Sequence, residues 1–210
     1  PYRRQRQMCI RDRSWIGKEV DSSDIIHEIL QDLIYYQKSG GGITLSGGEP
    51  LQQKDFALDI LQKCREHRIH TAVETNLLTD VNTLEAFLPW VDLWMCDFKM
   101  ADDTLHRKWT GHSNVPIIKN LEFLAKQAVP LTIRTPVIPN VNDSEEAIES
   151  ICRFIRQLPN QPAYELLGFH SLGFVKFENL GMKNPLSNSA FLKKGQLQKL
   201  KEILIRYNLN

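Results

Sequence analysis

Gly40-Gly41-Gly42-Ile43-Thr44-Leu45-Ser46-Gly47-Gly48-Glu49-Pro50 runs from a glycine turn through four strand-like residues, Ile43 to Ser46, into a second glycine pair, an acid and a proline. Apolar spacing typical of a helix resumes near Gln53. A strand that closes on such a loop just before a helix is where α/β proteins gather ligands, because the strand ends of a parallel sheet share one edge. Glycine lets the backbone take positive φ and come close to a ligand. Taken alone, the stretch reads equally well as a tight strand-to-helix turn. Residues further along separate the two readings.

The next informative run is Asp92-Leu93-Trp94-Met95-Cys96-Asp97-Phe98-Lys99-Met100, an apolar strand pattern that closes on an acid and a lysine two positions apart. Period-two geometry puts Asp97 and Lys99 on one face. Such a pair, buried without a ligand, is costly to desolvate and so argues weakly for a purely structural role. Three more strand-like runs end the same way. Thr71-Ala72-Val73-Glu74-Thr75-Asn76 carries an acid, Leu131-Thr132-Ile133-Arg134-Thr135 an arginine, and Tyr164 to His170 closes on Phe169 and a histidine. Five strands with polar or glycine-rich ends predict one shared site at one end of a parallel sheet.

Helical patterns fill the intervals. Asp21 to Asp24 offer several capping side chains ahead of Ile25, Ile26, Ile29, Leu30, Leu33 and Ile34. A second stripe runs through Phe56, Ile60, Leu61 and Cys64, and Asp80 opens a short helix that ends before Pro89. Pro116 suits a first helical turn, and Asp143-x-x-Glu146 resembles a capping box. Leu197 to Tyr207 stripe a last helix, while Pro136 to Asp143 and Gly181 to Gly195 read as loops. This alternation predicts a parallel sheet covered by helices.

The whole-chain numbers agree. With 210 residues and 42% hydrophobic content, the chain can bury one sizeable core. Residues 1–13 hold five arginines and one aspartate and fit no helix or strand period; without them 21 of the 26 basic and 24 of the 25 acidic residues remain, a formal net charge of −3. That balance gives no electrostatic case for nucleic acid. No apolar run approaches the roughly 20 residues that span a bilayer, and four scattered cysteines suit a reducing cytoplasm better than a disulfide framework.

Ser46-Gly47-Gly48-Glu49-Pro50, Glu74-Thr75, Met95-x-Asp97-x-Lys99 and Phe169-His170-x-x-Gly173-x-x-Lys176-Phe177 occur in an order and spacing that resemble the glycyl-radical-enzyme activating enzymes of the radical S-adenosylmethionine superfamily, such as pyruvate formate-lyase activating enzyme. The resemblance covers Gly17 to the C-terminus. It implies an α/β fold, a partial (β/α)6 TIM-like barrel of the radical SAM type, expected to be missing its first strand. It also implies S-adenosylmethionine and a [4Fe-4S] cluster as cofactors, a glycyl radical enzyme as protein substrate, and a flavodoxin or ferredoxin as electron donor. By the same resemblance, Gly47, Gly48, Glu49, Asp97, Phe98, Lys99, Arg134 and His170 would bind the cofactor, and Glu74, Thr75, Met95 and Asp97 would surround a monovalent cation. Glu74 stands where the familiar member has aspartate. Arg134 reads equally as half of an interior ion pair.

One departure is large. The signature Cys-x3-Cys-x2-Cys, which holds three irons of the cluster, is absent: Cys9, Cys64, Cys96 and Cys152 are far apart in sequence, and the last three read as small buried hydrophobes. Gln5 to Arg13 resembles a translated sequencing-adaptor remnant. Residues 1–13 are therefore expected to be foreign, with a radical SAM domain over 14–210 whose first strand and cysteine loop lay upstream. Two other readings stay open. Lys99 could form a Schiff base on a barrel strand, as in aldolases, with Asp97 and Glu74 as acid and base; or the chain could be a non-catalytic remnant that binds a cofactor or partner. The histidines at 27, 67, 70, 106 and 112 show no metal-ligand spacing and are expected on helix surfaces or loops.

Overall fold

Five parallel strands pair strictly in chain order, and that order explains the rest of the architecture. They are β1 (Gly42–Leu45), β2 (His70–Thr75), β3 (Leu93–Asp97), β4 (Leu131–Val137) and β5 (Ala163–Gly168). Crossovers between parallel strands are right-handed, so a sheet that always advances in one direction carries its helices on one face. The structure, a computed structural model, describes residues 18–171, 174–179, 181–186 and 191–209. Residues 1–13, with Cys9, and Gly173 of the last motif lie outside the described residues.

The helices are α1 (Ser22–Gln31), α2 (Leu33–Ser39), α3 (Lys54–Glu66), α4 (Val81–Phe87), α5 (Asp103–Thr110), α6 (Val115–Lys126), α7 (Glu145–Gln157), α8 (Phe174–Asn179) and α9 (Gln196–Arg206). Strand alternation divides the sheet into two unlike faces. Val73 and Thr75, Trp94, Cys96 and Phe98, Ile133 and Thr135, and Tyr164 and Leu166 are buried. They form one core with Leu61, Leu84, Phe87, Leu121, Leu124, Ile148, Ile151, Ile155 and Ile203 from the helices. The opposite face carries Thr44, Glu74, Met95, Asp97, Arg134 and Glu165, none of them fully buried. A one-sided helical cover over a chain-order parallel sheet is a partial barrel, in agreement with the expected fold class.

Helix α7 shows how local sequence fixes the packing. Ser144 accepts from the Ala147 amide at 3.1 Å and so caps it. Ile148, Ile151, Cys152 and Ile155 then recur at helical spacing and are all fully buried. Each apolar side chain contributes roughly 1.5–3 kcal/mol by leaving water.

Some expectations are corrected. The cap is Ser144 rather than Asp143, whose Oδ1 accepts instead from the Asn140 amide (2.9 Å). The stripe from Ile25 to Ile34 spans two helices, because Asp32 (φ −97°, ψ 8°) ends α1 and starts α2. Helix α5 was not expected, and it buries His106 at 3% exposure, contrary to a surface placement. His106 Nδ1 lies 2.7 Å from the His112 carbonyl, a structural contact. Among the described residues no helix is long and apolar enough to cross a membrane.

Candidate active site

The C-terminal ends of β1, β2 and β3 enclose a cleft of about 160 Å³ lined by Ser46, Gly48, Glu49, Glu74, Thr75, Asn76, Asp97 and Lys99. Its floor is set by the glycine pair after β1. Gly47 and Gly48 both hold left-handed φ (77° and 60°), and a Cβ at either would meet no atom within 4 Å. These glycines are needed for the turn, and the space above them is open.

Glu49 ties that loop to β2. Its Oε1 accepts from Thr75 Oγ1 (2.7 Å) and from the Leu51 amide (3.3 Å), and its Oε2 from the Asn76 amide (2.8 Å). Both oxygens are engaged by the protein, so Glu49 positions the loop. Ser46 Oγ donates to Glu74 Oε2 at 3.1 Å and ties the end of β1 to β2 a second time.

Across the open face, strand register sets a row of charge. Asp97 lies opposite Arg134, and Arg134 opposite Glu165. The Arg134 guanidinium reaches back over Met95, with Nη1 3.9 Å from Sδ, to pair with Asp97 (3.4 Å) and Glu74 (2.5 Å). Lys99 Nζ sits 3.1 Å from Asp97 Oδ2. Burial works against the charge on Arg134, but the carboxylates of Glu74 and Asp97 outweigh it and raise its pKa further. Three carboxylates (Glu49, Glu74, Asp97) against two cations leave this end of the sheet one unit negative.

Not every expected residue reaches the cleft. Alternation turns the Phe98 ring to the helical side, where it is fully buried 5.1 Å from Phe154, so its side chain does not line the cleft. His170 is exposed just past the end of β5, on the same edge of the sheet but not in the cleft lining. Of the residues expected around a monovalent cation, Glu74 and Asp97 hold the guanidinium and Thr75 holds Glu49. No group of three or more His, Cys, Asp or Glu side chains is arranged for a metal among the described residues. A separate cleft of about 270 Å³ lies between the first turns of α5 and α7, lined by Met100, Leu105 and Val141 among others and by none of the expected site residues.

Sequence reasoning missed the asparagines that hold the loops. Asn142, 3% exposed, donates from Nδ2 to the carbonyls of Lys99 and Pro136 (both 2.9 Å). Asn114 Nδ2 clamps the Met100 and Ala101 carbonyls, and Asn120 Nδ2 those of Leu77 and Thr79. A lone buried asparagine leaves no periodic signal, so only the folded chain reveals these clamps.

With this geometry in view, comparison with known proteins is decisive for the family. Residues 7–154 match the model of the Radical SAM superfamily, and the chain belongs to that superfamily. It is 34% identical over 188 residues to the pyruvate formate-lyase-activating enzyme of Clostridium pasteurianum, covering 90% of this chain and 79% of that protein. It is 40% identical over 172 residues to the isethionate sulfite-lyase activating enzyme of Desulfovibrio desulfuricans, covering 81% of this chain. The chain spans 55% of the length of that second relative. A crystal structure of a domain of pyruvate-formate lyase-activating enzyme from Bacteroides vulgatus superposes with a TM-score of 0.69 at 31% identity, covering 81% of this chain and 96% of that one.

Membership implies S-adenosylmethionine and a [4Fe-4S] cluster, and the two fit these residues differently. An amino-acid zwitterion suits the cleft. Open space lies over Gly47 and Gly48, carboxylates stand beside a lysine, and Arg134 Nε is buried with no partner among the described residues. The cluster does not fit. Cys64, Cys96 and Cys152 are free, buried and on separate elements. Burial pushes the thiols of Cys64 and Cys152 up to about 11 and that of Cys96 well above the ordinary thiol range, whereas iron needs thiolates.

Proposed function

We propose that this chain is the S-adenosylmethionine-binding portion of an activating enzyme that generates a glycyl radical on a partner enzyme, with the cluster ligands supplied by sequence outside the described residues. The single observation that carries the reading is the convergence of Gly48, Glu74, Asp97 and Lys99 on one cleft at the strand ends. Family kinship with named activating enzymes supports the reaction class.

S-adenosylmethionine, when bound, supplies a sulfonium whose C–S bond can be cleaved by one electron. The chain's own residues bind and orient. Lys99 offers a compact charge for the carboxylate. Carbonyls of the Gly47–Gly48 turn and the Glu74 and Asp97 carboxylates draw the ammonium and sulfonium charges. The cleft is smaller than the roughly 300–1,000 Å³ of whole-ligand pockets, so it takes the methionyl end. His170, exposed on the same edge of the sheet, would meet the adenosine side. Arg134, locked between Glu74 and Asp97, positions both acids and occupies the place in which a monovalent cation was expected. A flavodoxin or ferredoxin as reductant, and a cytoplasmic setting in which Cys64, Cys96 and Cys152 stay reduced, belong to the same proposal.

A Schiff-base enzyme is not favoured. Lys99 is paired with Asp97, and the relatives are activating enzymes.

Equilibrium dialysis of labelled S-adenosylmethionine against the 210-residue chain tests the reading. We expect saturable binding, against which S-adenosylhomocysteine competes only weakly because it lacks the sulfonium charge, and which Lys99→Ala and Asp97→Asn reduce by about ten-fold or more. Equal binding by wild type and both variants refutes it.

A further inference from the structure

We propose that a basic groove beside the strand ends docks an acidic segment of the enzyme that is activated, an assignment that rests on the activase reading only in naming that partner. The groove, about 460 Å³, lies between the loop after β4 and the first turn of α9. Asn140 and Asp143 line one side and Phe191, Lys193, Lys194 and Lys199 the other.

Its charge is only partly compensated: three lysines against Asp143 leave the lining formally two units positive. The three lysines are exposed, and none forms an ion pair among the described residues. Asp143, the lone acid in the lining, has both oxygens engaged: Oδ1 by the Asn140 amide and Oδ2 by Gln196 Nε2 at 2.9 Å. Helix α9 adds to the field. Gly195 (φ 81°) stands at its N-cap with no side-chain oxygen to satisfy the first amides.

The groove also has an apolar rim in the right place. Phe191 is 65% exposed, a large aromatic in contact with solvent. Its ring packs 6.2 Å from Phe169, which follows the end of β5 immediately before His170. The opposite wall follows directly from β4. A segment seated here therefore lies on the same edge of the sheet as the candidate active site. Three lysines next to an exposed ring fit a peptide in which carboxylates flank an apolar residue, and exposed charges of one sign also speed the encounter.

The test is fluorescence anisotropy on the full chain with a fluorescein-labelled peptide of glutamates flanking one phenylalanine. Controls are the same peptide with glutamine for glutamate, and sodium pyrophosphate as competitor. We expect binding of the glutamate peptide alone, weakened at high salt, lowered about ten-fold in the Lys193→Glu/Lys194→Glu/Lys199→Glu variant, and lowered again by Phe191→Ala. Equal binding of the glutamine peptide, unchanged affinity in the triple variant, or pyrophosphate that binds while the peptide does not would each overturn the proposal. The last outcome would assign the groove to a small phosphorylated ligand. The two readings separate cleanly. The triple variant keeps its S-adenosylmethionine binding if the groove is distinct from the cleft, and Asp97→Asn keeps its peptide binding.

Discussion

Replacing Arg134 by methionine should destabilise the fold, and the structure sets the size of the loss. The guanidinium is 12% exposed and bridges Glu74 and Asp97, which are 36% and 21% exposed. Removing one partner of a fully buried pair costs about 3–5 kcal/mol. Glu74 is more than a third exposed, so solvent screens its share and the expected loss falls to about 1–3 kcal/mol. Methionine keeps most of the side-chain volume, which separates the charge effect from a packing defect. In the variant Glu74 loses its cationic partner and Asp97 keeps only Lys99. Urea denaturation of both proteins at pH 7 measures the loss, and thermal scans should show a drop of about 2–4 °C per kcal/mol. A loss below about 0.5 kcal/mol would show that Arg134 is not the electrostatic tie between β2, β3 and β4.

Three further outcomes are expected. The Asp103 carboxyl, held near a pKa of about 2 by Ser113, Arg107 and the Asn114 amide, should titrate well below an ordinary aspartate by NMR. Its folded pKa is depressed, so its contribution is complete above the unfolded value of about 3.9 and is lost as pH falls through about 2; a midpoint above 3.5 contradicts the geometry. Gly47→Ala and Gly48→Ala should each cost about 1–2 kcal/mol, from the left-handed backbone alone, because the added methyl meets open space. A urea midpoint unchanged in both would mean the loop relaxes freely. Finally, Cys64, Cys96 and Cys152 should resist alkylation at pH 7.5 until the chain unfolds, as read by mass spectrometry. The chain reconstituted with iron and sulfide should give no stoichiometric [4Fe-4S] spectrum, and either opposite result ends the account of these thiols as core residues.

The sequence made the chemistry-bearing strand ends legible because each motif is local. Ser46 to Pro50 is a turn with its own glycines, and Asp97 and Lys99 share a face through strand periodicity alone. The Phe98 ring lies away from the cleft for the complementary reason. A residue between two site residues on a strand points away from the site, and motif matching passes over that alternation. His106, expected on a helix surface or loop, is buried, and its Nδ1 meets the His112 carbonyl.

What the sequence determined by itself is therefore the parallel α/β plan, the family, and the identity of the polar residues at the strand ends, since these depend on spacing of a few residues along one strand or turn. The tertiary structure decided the partnerships. Arg134 binds Glu74 and Asp97 because β3 lies between β2 and β4 at a particular register. Glu49 holds Thr75 and Asn76, and Asn142 clamps the Lys99 carbonyl, only because loops 26 to 43 positions apart in the chain meet at one edge. Those contacts are made between elements, and no local pattern encodes the distance between elements.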